Sequence, residues 1–155
     1  MSAASISIRV FREADTEAVL ALWLQAFPEY NDTTRPHRNP RLSIANKLGT
    51  QPELFFVAAD QDGAIVGTAM AGYDGHRGWL YSLAVAHEAR RLGIGTRLVR
   101  HAESALAAMG CLKLNLQVLS DKPEVIAFYD ALGYRADAVV SLGKRLSVQE
   151  PAAVA

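Results

Sequence analysis

Residues Arg90 to Thr96 read Arg-Arg-Leu-Gly-Ile-Gly-Thr. Two glycines one residue apart precede an apolar pattern of helical period, so they form a turn that opens a helix. The first turn of a helix presents N–H groups that lack an intrahelical acceptor, together with a partial positive charge. Glycine lets an anion reach those groups without a Cβ in the way. The chemistry such a turn could do is phosphate binding. A P-loop requires Gly-Lys-Ser/Thr after its glycines, where this chain has Gly95-Thr96-Arg97. A dinucleotide fingerprint requires a third Gly or Ala at the position held by Leu98. An ordinary tight turn with a helix cap is the remaining alternative.

Other residue types capable of proton chemistry are scattered. Tyr129 stands in the stretch AFYDALGY, on the helical stripe of Val125 and Leu132, which also suits a core aromatic. Asp74 and His76 lie in YDGHRG. Asp74-Gly75 suits a hairpin turn, while an imidazole is the side chain that accepts protons near neutrality. Arg35, His37, Arg38 and Arg41 sit in or beside a proline-bearing loop and could grip a carboxylate or phosphate. Glu29 and Asp32 are close enough in sequence to balance them. Arg77 and Trp79 could frame an acceptor. Cys111 follows a helix stop and reads as a small, partly buried residue.

These residues must be positioned by the elements around them. SISIRVF alternates as a first strand, and Asp15 is expected to cap a helix carrying Val19, Leu20, Trp23 and Phe27. Asn39, Pro40 and Gly49 bound a second helix. The turn residues QDG and DGHRG separate three apolar runs, predicting an antiparallel meander of strands two to four. After the glycine turn, Leu98, Ala102, Ala105 and Met109 mark an amphipathic helix that Gly110 stops. KLNLQVL predicts strand five, Pro123 to Gly133 a further helix, and AVVSLGKRL one or two last strands. The tail 148–155 is expected to fray. The expected class is α/β (α+β-like), a single domain over 1–155 with its core at about 6–147: a mixed, mostly antiparallel central sheet flanked by about four helices.

Bulk properties narrow the function. The chain has 155 residues, enough for one sizeable core. Sixteen basic residues balance sixteen acidic ones, so no global field favours nucleic acid or an anionic membrane. One cysteine excludes an internal disulfide framework and fits a reducing cytoplasm. No apolar run is long enough to span a membrane, and MSAASISIRVF does not read as a signal peptide. No metal-ligand spacing stands out, so no metal is expected.

The glycine turn, placed between LAV at the end of strand four and a long helix, resembles the Arg/Gln-x-x-Gly-x-Gly/Ala signature of the GNAT family, the Gcn5-related N-acetyltransferases. AFYDALGY resembles that family's second signature, and the order of elements is similar to its fold over about residues 6–147. GYDGHRGWLY and SLGKRL further resemble small bacterial YpeA-type acetyltransferases.

The resemblance implies acetyl-CoA as co-substrate, with the pyrophosphate held by Arg90, Arg91, Leu92, Gly93, Ile94, Gly95 and Thr96. It implies a sheet splayed at strand four, where Leu83, Ala84 and Val85 meet the pantetheine arm, and an oxyanion donor near Val85. Tyr129 matches the family's general acid. Asp74, His76 or a water chain remains for the base, because Trp79 and Gln117 stand where family members carry a glutamate. Lys122 stands where an asparagine is often found and could reach a phosphate. Arg35, Arg38, Arg77 and Trp79 would border the acceptor, an amine of a small molecule or peptide. Homodimers are compatible with the resemblance. The alternative function is a non-catalytic acyl-CoA-binding module acting through a protein partner.

Overall fold

Glycine and proline set most of the boundaries. In the computed structural model, which describes residues 2–32 and 34–146, strand β1 spans Ser7–Val10 and helix α1 spans Thr16–Ala26. Helix α2 runs Pro40–Leu48, with Asn39 accepting the Leu42 N–H at 3.1 Å and Gly49 at its end. Strands β2 (Phe55–Ala59), β3 (Ile65–Tyr73) and β4 (Gly78–Val85) form the expected meander, the first turn closing on Gly63 at φ +82°. Helix α3 spans Ile94–Ala108 and strand β5 Leu114–Leu116. Helix α4 spans Pro123–Ala131, and Gly133 turns the chain at φ +96°.

The five strands lie in the order β1-β2-β3-β4-β5, antiparallel except for the β4–β5 pair. Alternation along β3 fixes the layers. A Cβ on Gly67 would lie 3.0 Å from Leu98 and 3.1 Å from Ile94, so that side faces α3. The next residue, Thr68, bonds Trp23 of α1 on the opposite side. Helix α3 buries Ile94, Leu98, Val99, Ala102 and Leu106 as one stripe. Each of its large side chains contributes roughly 1.5–3 kcal/mol by leaving water. On the α1 face, Trp23 and Phe55 pack with ring centroids 5.9 Å apart, and Phe55 stacks on Phe11 at 4.2 Å. Among the described residues the chain divides into two compact units, the second beginning at residue 121. The sheet belongs to the first and α4 to the second.

Two expectations need correction. Asp15 precedes α1 but does not cap it, because its carboxylate is engaged elsewhere. Arg9 grips both carboxylate oxygens, at 2.8 and 2.9 Å, and the Arg12 N–H donates to one of them at 2.8 Å. AVVSLGKRL, residues 138–146, forms no strand in the described structure. Val140 and Leu142 are 83% and 90% exposed there. Alternating apolar residues become a strand only where a neighbouring strand receives them, and β5 is recorded as pairing with β4 alone. The expected frayed tail lies outside the described residues.

Candidate active site

The glycine turn presents a run of backbone N–H groups that the helix ladder does not use. Arg91 and Gly93 both take left-handed backbone, at φ +67° and +74°, just before α3 begins at Ile94. The helical ladder starts with the Arg97 N–H, which donates to the Gly93 carbonyl at 3.0 Å. Among the described residues, no N–H from Arg91 to Thr96 donates to a backbone carbonyl. Six consecutive donors at a helix N-terminus form a concavity of the kind that binds phosphate. A Cβ on Gly93 would meet no protein atom within 4 Å, so the space over it is open. Arg97 is not available to a phosphate, since its guanidinium donates to the carbonyls of Ala3 and Ile6 at 3.0 and 2.9 Å.

Strand β4 leads into this turn and leaves its neighbour. It pairs with β5 at Gly78, Trp79 and Leu80, and no further β4–β5 pair is recorded. Against β3 its register slips by one residue between Ala84 and Tyr81, with Ser82 at φ +53°. Such a bulge re-aims the strand. A buried hydroxyl holds it: Thr68 Oγ1 donates to the Ser82 carbonyl at 2.9 Å and accepts the Trp23 indole N–H at 2.8 Å. The Ala86 N–H donates to Val66 across β3. By antiparallel alternation Ala84 also addresses β3, while the backbone groups of Leu83 and Val85 address the open side. Of the three strand residues expected to meet a ligand arm, Leu83 and Val85 have backbone groups turned from β3, and Ala84 does not.

The hairpin residues lie apart from that edge. Asp74 Oδ1 accepts the N–H groups of His76 and Arg77, each at 2.7 Å. Those two bonds stabilise its charged form and lower its pKa, that from Arg77 the more. His76 is exposed at the tip. Gly78 and Ser82 are already about 13 Å apart along the strand, and the tip lies beyond Gly78. Arg77 and Trp79 alternate with Gly78 and Leu80, so they share the face of Tyr81.

The loop arginines are mostly occupied. Arg35 pairs with Asp32 at 3.3 Å and Arg41 with Glu17 at 2.9 Å. Both arginines line an open cleft of about 500 Å³ with Tyr30 and Pro40, and Arg38 is not among its lining residues.

In the second unit, Tyr129 is 8% exposed and packs edge-to-face on Phe128 and Tyr134, at 5.0 and 5.6 Å. Burial pushes its hydroxyl up to about 12, so it is fully protonated at neutral pH. Lys122 precedes α4, and its carbonyl accepts the N–H groups of Val125 and Ile126.

Two residues with functional character escaped the sequence reading. Lys47 of α2 is 4% exposed, and its ammonium lies 5.7 Å from the centroid of the Tyr81 ring. They are 34 positions apart, on a helix and a strand, and a lysine on a polar-looking helix ordinarily reads as solvated. The only sequence signal is the Ile44/Lys47 spacing, which puts Lys47 on the buried face of α2.

A run of unpaired N–H donors at a helix N-terminus, following a strand whose parallel pairing ends at Leu80, suits a phosphate-bearing ligand with an extended amide arm, as acyltransferases that use coenzyme A require. The sequence matches the acetyltransferase (GNAT) family over residues 16–134. An acetyltransferase of Yersinia enterocolitica is 43% identical over 145 residues, 94% of this chain and 99% of that protein. Ard1 of Thermoplasma volcanium has a similar solved structure, with a TM-score of 0.73 and 26% identity, covering 86% of this chain and 85% of that one. The PaiA N-acetyltransferase of Thermoplasma acidophilum, solved with coenzyme A, shares the fold at a TM-score of 0.75 and 21% identity, over 88% and 93% of the two chains. The protein belongs to the GNAT acetyltransferase family and is an acyltransferase.

Proposed function

We propose that the protein transfers an acetyl group from acetyl-CoA to a primary amine by direct attack in a ternary complex, and does so in the cytoplasm. The observation that carries this reading is the row of six open N–H groups at the start of α3, next to the edge that β4 leaves unpaired. Pyrophosphate suits the first and an amide-bearing pantetheine arm the second. The bound thioester supplies an electrophilic carbonyl and a thiolate leaving group. The N–H groups of Arg91 to Thr96 hold the diphosphate, and the backbone of Leu83 and Val85 pairs with the arm. The Val85 N–H donates to the carbonyl oxygen as negative charge develops there. Tyr129 keeps its proton and hydrogen-bonds the sulfur while the C–S bond breaks, and the departing thiolate takes its proton from solvent. The amine loses its proton to solvent water before attack, because the hairpin N–H groups make Asp74 a weaker proton acceptor and both Asp74 and His76 lie at the hairpin, away from the open β4 edge.

The test pairs binding with turnover. Gly93→Val meets no protein atom with its Cβ, so the fold should persist apart from left-handed strain of about 1–2 kcal/mol. Calorimetry should show sharply weaker acetyl-CoA binding. Unchanged affinity in the folded variant overturns the pyrophosphate assignment. In the wild type, release of free thiol should require an acceptor amine. Tight binding without any acceptor-dependent release would instead favour a non-catalytic acyl-CoA-binding module.

A further inference from the structure

Strand β3 extends beyond the start of β2, whose last pair with it is Phe55↔Met70. The overhanging backbone at Ala71 and Tyr73 pairs with β4 on one side but has no strand on its β2 side, where two side chains take the place of one. Gln51 donates to the Tyr73 carbonyl at 2.9 Å and accepts the Tyr73 N–H at 2.8 Å. Lys47 donates to the Ala71 carbonyl two residues earlier. A neutral amide does this job at Tyr73. At Ala71 the same job is done by a buried ammonium, and burying a cation is costly unless an anion accompanies it. Among the described residues no carboxylate lies within ion-pair distance of Lys47. The nearest acidic influence is Glu53, which acts through space and is outweighed by burial, so the lysine pKa is lowered.

An ammonium has three N–H donors. One goes to Ala71, and the charge lies over the Tyr81 ring. Lys47 also lines a cavity of about 430 Å³, together with His37, Ser43, Asn46, Thr50 and Tyr81. Among the described residues that line it, none is acidic. Tyr81 follows Leu80, the last residue of β4 paired with β5, and precedes the bulged Ser82. Its hydroxyl lies over Gly72, where an added Cβ would come within 3.6 Å. The cavity therefore lies beside the strand that leads to Leu83 and Val85, about 7 and 13 Å further along.

We infer that Lys47 and Tyr81 form an anion subsite that selects acceptor amines carrying a carboxylate, such as amino acids or short peptides with a free C-terminus. The inference rests on the acetyltransferase reading above and deepens it. An acceptor carboxylate would complete the charge that the fold leaves buried, through a charge-assisted bond from Nζ. It would also receive neutral donors from Tyr81 and the hydroxyls of Ser43 and Thr50. The acceptor amine, at the other end of the same small molecule, then lies toward the thioester.

The experiment uses the full chain and a panel of free amino acids and dipeptides, each supplied both as the acid and as its C-terminal amide. Thiol release from acetyl-CoA is measured for each, with acetyl-CoA binding followed by calorimetry on the same samples. The wild type should prefer acids over their amides by 10-fold or more in kcat/KM. Lys47→Gln retains an N–H donor for Ala71 but removes the charge. It should lower kcat/KM for acids by about 10- to 100-fold, chiefly through KM, and leave the amides nearly unaffected. Tyr81→Phe should give a smaller loss of the same kind. Equal use of acids and amides, acceptance only of amines without a carboxylate, or no transfer to any acid by protein that binds acetyl-CoA overturns the subsite alone. Failure to bind acetyl-CoA at all overturns the acetyltransferase reading with it. Should Lys47→Gln not fold, the acid-to-amide ratio of the wild type decides the matter.

Discussion

At the scale of single residues, Tyr129 shows how a recognisable side chain acquires its chemistry from surroundings the sequence does not display. Spacing alone suits a core aromatic, and burial bears out that half of the description. The same burial raises the hydroxyl to about 12. A free thiol titrates near 8.5, so proton transfer from tyrosine to a finished thiolate would run uphill by roughly 3 to 4 pK units, more than for an exposed tyrosine. On the proposed mechanism such a donor would act only while the C–S bond breaks, stabilising growing charge on sulfur through a hydrogen bond. Because a thiolate also leaves unaided, Tyr129→Phe should reduce kcat toward the low end of the 10²- to 10⁴-fold range, about 10²-fold, with acetyl-CoA affinity retained. The fall should appear equally in kcat/KM. Steady-state rates beside calorimetry check it, and wild-type turnover in the variant would leave Tyr129 as packing alone. A parallel case is His76, which shares a hairpin with Asp74 but sits beyond the start of β4. His76→Ala should leave the pH dependence of the rate unchanged. Loss of its acidic limb would make this histidine the base.

Among the elements, what was legible is what short-range chemistry dictates. Gly63, Gly110 and Gly133 each adopt positive φ where a turn or helix end was read, and Asn39 caps α2 as its position implies. The open N–H groups of the glycine turn were legible because the turn and the helix start that leave them unpaired are local. The bulge in β4 was not. Ser82 carries no mark of its left-handed backbone, and a register slip exists only between two strands. Its support is equally non-local, since Thr68, Trp23 and Ser82 meet from three elements. The last strand was misread for the converse reason: its alternation is local, but pairing is not. The bulge can be tested through its pin. Thr68→Val keeps the shape of the side chain and removes both bonds, leaving a buried indole N–H and a strand carbonyl without that partner. Stability should drop by about 1–3 kcal/mol. Acetyl-CoA binding should weaken as well, because Leu83 and Val85 depend on the bulge for their direction. Denaturant titration and calorimetry measure the two effects separately. A loss of stability with full affinity would show that the splay holds without Thr68.

Across the whole molecule, formal charge is balanced and the calculated isoelectric point is about 6.9, so the response to acid is governed by particular pairs rather than by a large net field. The pair with most structural reach is Arg9–Asp15, which ties β1 to the turn that starts α1. The bidentate guanidinium is the main reason the Asp15 pKa is lowered, with the Arg12 N–H assisting against a smaller desolvation penalty. A carboxyl whose folded value lies below its unfolded value, near 3.9 for aspartate, binds its proton more readily in the unfolded chain. Its stabilisation is thus complete above about pH 4 to 5 and is lost as pH falls through the lowered folded value. Asp15→Asn should consequently lower the melting temperature at pH 7 by on the order of 5 °C, as expected for 1–3 kcal/mol in a chain of this length. The gap between variant and wild type should hold steady from pH 7 to 5 and close progressively below pH 4. Thermal melts at unit intervals from pH 2.5 to 7 provide the curve. A gap that stays constant down to pH 2.5 would mean that Asp15 acts through packing rather than through its charge, and that acid sensitivity resides elsewhere in the chain.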